Sequence, residues 1–192
     1  MSPPPAPRHA LQQRVATAIL DGAAQLFVVR GEQASMNEVA EAAGVARATV
    51  YRYFPNREAL LDELAATAVG EVDSRLAAAR IDEMESSEGV SRAVRALVEV
   101  GDLFVLLTRE RLRSDPEQYE RKLVLPLRRL LERAQADGEI RPDISSTRLT
   151  ESLIGLVVGS LTSTAPLGKE DMTATVTGLF LDGARARTRR PR

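Results

Sequence analysis

Apolar residues recur at helical spacing along almost the whole chain, and this constrains the fold more than any other feature. Val15, Ala18, Ile19, Gly22, Ala23, Leu26 and Phe27 follow an i, i+3, i+4 rhythm over three turns. No stretch alternates apolar and polar residues for long, and aromatics are only 4% of the 192 residues. An all-α fold is therefore expected. With 44% apolar and 28% charged residues the proportions are globular. No run of apolar residues is long enough for a membrane span.

Punctuation residues divide the first third into short helices. The first expected helix, Arg14 to Arg30, stops at Gly31, a residue suited to positive φ. Ser35 is a plausible N-cap, and Glu38 three residues later completes a capping box. Met36, Val39, Ala40 and Ala43 then form the inward stripe of a second helix, closed by Gly44. Val45 to Phe54 is expected as a third helix, broken by Pro55 and Asn56. A long helix follows from about Asn56, with Leu60, Leu61, Leu64 and Ala68 on one side.

The remainder predicts about five further helices. Glu71 to Met84 either continues the long helix or stands alone, and Glu85 to Gly89 is expected as a polar loop. A helix over Val90 to Leu112 would be followed by one that starts at Asp115 and Pro116 and ends at Gly138, with a kink or break at Pro126. The last two are expected over Ser146–Thr164 and Glu170–Arg187, joined by a loop at Ala165–Gly168.

The segment Ser35 to Leu64 carries the chemistry. Two short helices joined through a glycine describe a helix-turn-helix. Val50 and Phe54, four apart, would pack inward and leave Arg47, Ala48, Thr49, Arg52 and Tyr53 largely outward. Ala48 keeps that surface low enough for a major groove roughly 12 Å wide, where Arg47 would reach a guanine edge and Thr49 a base or phosphate. The hydroxyls of Tyr51 and Tyr53 would serve phosphates, and Arg57 adds charge at the start of the next helix. Tyr51 and Tyr53 also suit a mainly structural role.

The stretch AGVARATVYRYFPNREALLDEL resembles the DNA-binding signature of the TetR family of transcriptional regulators. The resemblance covers about residues 10–65. It implies DNA contacts by Arg47, Ala48, Thr49, Tyr51, Arg52 and Tyr53, and phosphate contacts by Ser35 and Arg57. Two departures are Ala46, where the family often has a Ser cap, and Ala48, where Gly is common. The missing cap would cost ~1 kcal/mol of helix stability.

The resemblance further implies a flexible arm over residues 1–9, a DNA-binding domain over 10–58, a helical ligand-binding and dimerisation domain over 59–187, and a basic tail over 188–192. The expected partners are an inverted-repeat operator in double-stranded DNA, a second copy of the chain and a small-molecule effector. A hydrophobic or amphipathic effector would lie along Leu97, Gly101, Phe104, Val105 and Thr108, facing Leu123 and Leu127, with Gly101 leaving space. Close packing of the same stripe, with regulation by abundance or a protein partner, remains open. The dimer is expected on two apolar faces, Leu149, Leu153, Leu156, Val157 and Leu161 on one helix, and Val176, Leu179 and Phe180 on the other.

Other functions find little support. The chain has no cysteine, one histidine (His9), no Gly-rich phosphate loop and no nucleophile elbow. An enzyme, a cofactor and a metal site are not expected. The first residues lack the order of a signal peptide, so a cytoplasmic location is expected. Arg109, Arg111 and Arg113 are expected as a solvated face, and the arginines after Arg185 as a frayed end.

Overall fold

The computed structural model describes residues 7–109, 116–164 and 167–186. Among them the fold is all-α, with one isolated bridge between Ile140 and Arg185. The first four helices are α1 (Pro7–Arg30), α2 (Met36–Ala42), α3 (Arg47–Tyr53) and α4 (Arg57–Ala79). They are followed by α5 (Ser86–Val100), α6 (Asp102–Arg109), α7 (Pro116–Tyr119), α8 (Leu125–Ala136), α9 (Ser146–Leu161) and α10 (Lys169–Ala184). No helix among the described residues is long and apolar enough to cross a membrane.

Two apolar cores organise these helices. Ile19, Ala23, Phe27, Val39, Val50, Phe54, Leu60 and Leu64 form the N-terminal core from α1 to α4. Val72, Val94, Leu97, Phe104, Leu127, Leu153 and Val176 belong to the second, which surrounds α5. The long helix α4 serves both, because Leu60, Leu64 and Ala65 lie in the first core while Ala68, Val69 and Val72 lie in the second. The boundary expected between residues 58 and 59 thus meets a helix that changes cores about two turns further on. Helix α6 also straddles the two, with Leu106 in the first core and Phe104 and Leu107 in the second.

Several boundaries differ from expectation. Helix α1 begins at Pro7, so residues 7–9 of the expected arm are helical, and residues 1–6 lie outside the described residues. The polar stretch Glu85 to Gly89 is not a loop. Glu85 is the N-cap of α5, and Ser86 and Gly89 are buried in its first turns. A Cβ on Gly89 would stand 2.7 Å from Leu130 Cδ1, so this glycine lets α8 close over the helix. Arg133 of α8 reinforces the corner by donating to the carbonyls of Asp82 at 2.7 Å and Ile81 at 2.8 Å.

The helix expected over Val90 to Leu112 is divided. Gly101 has φ +63 and ψ −127, which ends α5 and turns the chain into α6. Residues 110–115, including Leu112 and Asp115, lie outside the described residues. The expected break near Pro126 takes the form of a wide π turn over Glu120–Val124, where the Leu125 N–H bonds to the Glu120 carbonyl. Proline offers no N–H to the carbonyl four residues back and crowds it, and a wider turn relieves both problems. Gly138 closes α8 as expected, with φ +76. Helix α10 stops at Ala184, short of the expected Arg187, where Arg141 N–H donates to the Ala184 carbonyl at 2.8 Å and Ala186 N–H to that of Glu139 at 3.0 Å. The last arginines, from residue 187, lie outside the described residues.

Candidate nucleic-acid interface

The geometry of α2 and α3 follows from local signals. Ser35 is extended and caps α2: its Oγ accepts from Glu38 N–H at 3.3 Å and donates to Glu38 Oε2 at 2.8 Å. Ser35 N–H donates to the same oxygen at 2.9 Å, and Arg30 pairs with the other carboxylate oxygen. The Ser35 backbone bond first, then its side-chain bond and the Arg30 charge, hold the Glu38 carboxyl below the ordinary glutamate range. The capping contribution is therefore present at neutral pH and is lost as pH falls through that lowered value. At the other end Gly44 has φ +64, and Val45 N–H bonds to the Ala40 carbonyl at 3.0 Å. That pattern ends α2 and aims the chain into α3.

Helix α3 turns one edge inward and leaves the rest to solvent. Val50 is fully buried and Phe54 nearly so. Arg47, Ala48, Tyr51 and Arg52 are exposed, whereas Thr49 and Tyr53 are half-buried. The Arg47 guanidinium lies 5.4 Å from the Tyr51 ring centre and that of Arg52 lies 5.5 Å from Tyr53. A ring one turn along for Arg47 and the adjacent ring for Arg52 thus steady the two cations, contacts worth roughly 0.5–1 kcal/mol each at exposed sites. Ala46 starts the helix with no side-chain cap, as its sequence predicts. Pro55 then forces Phe54 into an extended conformation, and Asn56 caps α4 by accepting from Ala59 N–H at 2.8 Å.

Two expected phosphate ligands are already engaged. The Ser35 hydroxyl proton is given to Glu38, so its remaining capacity is acceptance. Arg57 requires the larger correction: it is half-buried, its guanidinium lies 5.0 Å from the Phe27 ring centre, and Nη2 donates to the Gly31 carbonyl at 3.4 Å. It fastens α4 to the end of α1. Arg57→Ala is expected to lower the stability of the N-terminal domain by about 1 kcal/mol, measured by urea unfolding. An unchanged midpoint with weaker DNA binding would return Arg57 to the phosphate role.

Sequence reading missed Gly22, which was counted in the apolar stripe of α1. A Cβ there would lie 2.9 Å from Ala43 N and 3.0 Å from Ala42 C, so bare backbone is needed where α1 crosses the end of α2. The available signal was a glycine inside a helix, which costs ~1 kcal/mol against alanine unless packing requires it. It also passed over Asn37, exposed in the first turn of α2 beside Ser35.

Residues 19–64 match the sequence model of the bacterial regulatory proteins of the tetR family. It is in this segment, from α1 into α4, that the chain resembles that family. An uncharacterised HTH-type transcriptional regulator of Mycobacterium tuberculosis is 56% identical over 46 residues, a stretch that spans 23% of either chain. The HTH-type transcriptional repressor KstR2 of Rhodococcus jostii is 37% identical over 65 residues, covering 33% of this chain and 32% of its own length. Among solved structures, AibR in complex with isovaleryl coenzyme A and operator DNA shares the fold. Its TM-score is 0.68 at 22% identity, over 86% of this chain and 97% of AibR.

The second half of the chain disposes its predicted residues differently from the first. Leu97, Phe104, Val105, Leu123 and Leu127 are buried in close-packed core, and Gly101 makes the turn between α5 and α6. Thr108 opens onto a groove of about 520 Å³ bounded by α7, the π turn, α8 and α9, and Gly101 onto a separate one of about 540 Å³ whose lining includes Asp21, Ser160 and Met172. Of the predicted dimer residues, Leu149, Leu153, Val157, Val176 and Phe180 face the core of their own chain. Leu156 and Leu161 are half-buried and Leu179 is 62% exposed. The outer surfaces of α9 and α10 instead carry Gly155, Gly159, Gly178 and Gly183, with open space beside each.

Proposed function

We propose that the chain is a homodimeric DNA-binding transcriptional repressor that reads an inverted-repeat operator with α3 and releases it when a small hydrophobic or amphipathic effector binds the C-terminal bundle. The observation that carries this reading is the outer face of α3. Arg47, Ala48, Tyr51 and Arg52 stand in solvent on a helix fixed from beneath by Val50 and Phe54. A helix that served only to fill a core would not expose that set, and the set matches what a major groove requires. Thr49 and Tyr53 flank it as backbone contacts.

The repressor assignment is supported by KstR2 of Rhodococcus jostii, whose N-terminal third is the part aligned with this chain. A fold that accommodates both a ligand and operator DNA is supported by AibR. Dimerisation would use the outer, glycine-lined surfaces of α9 and α10 around Leu179, where small residues permit close helix approach. A twofold axis would then place two copies of α3 about 34–36 Å apart, or further on a longer operator. Coupling would run through α6 and α4, the two helices that contribute to both cores. An effector shifts the spacing only to the extent that it binds one arrangement better than the other.

A second reading, a regulator of the same fold with no small ligand, is favoured by the close packing of Leu97, Phe104, Val105, Leu123 and Leu127. Sedimentation of the purified chain, alone and on a DNA fragment it retains from genomic DNA, tests the assembly. Two copies, or a multiple of two, per site are expected. A single copy per site would contradict the dimeric reader.

A further inference from the structure

We infer that the groove between α6, the α7–α8 segment and α9 is a binding site for a small cationic amphiphile, an apolar body that carries a protonated amine. This inference rests on the reading that the C-terminal bundle holds an effector. The groove, of about 520 Å³, falls within the roughly 300–1,000 Å³ typical of small-molecule sites. It differs from the stripe that the sequence indicated and shares only Thr108 with it.

Its lining combines an apolar floor with hydrogen-bond acceptors. Val124, Ile154 and Val158 provide the apolar surface. The Thr108 hydroxyl donates to the Phe104 and Val105 carbonyls at 3.0 Å, and that of Thr150 to the Ser146 carbonyl at 2.8 Å. With their protons committed to the helix backbone, both hydroxyls offer lone pairs to an occupant. Tyr119 adds an aromatic ring on the same wall, and burial first, then the Glu120 charge, raise its phenol above the ordinary range and keep it neutral.

The charges agree with these acceptors. Among the described residues Arg128 is the one cation of the lining, and its Nη2 is engaged by Glu120 Oε1 at 2.6 Å. Glu151 meets only a loose partner, Arg148, at 3.8 Å, and both are exposed. An incoming ammonium would therefore find Glu151, two hydroxyl acceptors and an aromatic ring, whereas an incoming carboxylate or phosphate would find, among the described residues of the lining, no cation without a carboxylate partner.

The test is calorimetric titration of the purified full chain with decylammonium and with decanoate, each well below its micelle concentration. The same chain is assayed on a DNA fragment that it retains from genomic DNA. Decylammonium is expected to bind and decanoate not to. Glu151→Gln should weaken decylammonium by about tenfold, and Ile154→Trp, which fills the half-buried floor, should remove binding while circular dichroism remains unchanged. Equal or tighter binding of decanoate, or binding indifferent to both substitutions, would overturn the cation site. If decanoate releases the DNA, the effector reading survives and the cation assignment fails. If decylammonium binds at the groove without altering DNA affinity, the site stands and its regulatory role fails.

Discussion

Gly22→Ala is expected to weaken DNA binding severely while the chain remains helical. The added methyl would stand within 2.9–3.2 Å of three backbone atoms, Ala43 N, Ala42 C and Ala43 Cα, which cannot rotate away as a side chain would. Either α1 or the end of α2 must move. Overpacking of this kind costs about 1–3 kcal/mol of stability. Since Ala43 and Gly44 lead directly into α3, the displacement also reorients the recognition surface. Gly70→Ala is the matched control, because Gly70 is exposed within α4 and a Cβ there meets nothing. That substitution should stabilise the chain by up to about 1 kcal/mol through helix propensity. Urea unfolding and DNA titration of both variants decide the matter. Equal midpoints and equal DNA affinity would show that the α1–α2 approach is not as close as the coordinates place it.

Arg47→Ala is expected to cost about 1–3 kcal/mol of specific DNA affinity and to relax preference at one base pair. Arg47 is exposed at the start of α3 and steadied over Tyr51, so its loss leaves the fold of the helix unchanged. Binding to an unrelated duplex should fall much less. The measurement is affinity for a retained site and for single-base variants of it at fixed salt, since affinities vary steeply with ionic strength. If Arg47→Ala weakened every sequence alike, the residue would be serving a phosphate, and base readout would have to lie elsewhere on the face.

Features set by local chemistry were legible in the sequence. The capping box at Ser35 and Glu38 and the helix-closing glycines at 31, 44 and 138 each depend on a few neighbouring residues. Features set by distant packing were not. Gly101 lies in an apolar stripe that reads as continuous helix, and only the opposed demands of the two cores on α6 make it a turn. Residues Ser86 to Gly89 look polar enough for a loop, yet α8 presses Leu130 onto Gly89 and completes a helical turn.

The two errors of role have a shared cause. Arg57 reads as a phosphate ligand because of its charge and position, but Phe27, thirty residues earlier, draws its guanidinium inward. Leu149, Leu153, Val176 and Phe180 read as a dimer surface because they are the apolar faces of the last two helices, and those faces fill the chain's own core.

The central claim is that α3 reads a specific DNA sequence as one of a symmetric pair. Selection of genomic fragments by the purified chain at near-physiological salt, followed by sequencing of the bound pool, tests it most directly. An enriched inverted repeat, lost with Arg47→Ala, is the predicted result. Retention of fragments without any shared sequence, weak and abolished by modest salt, would contradict it.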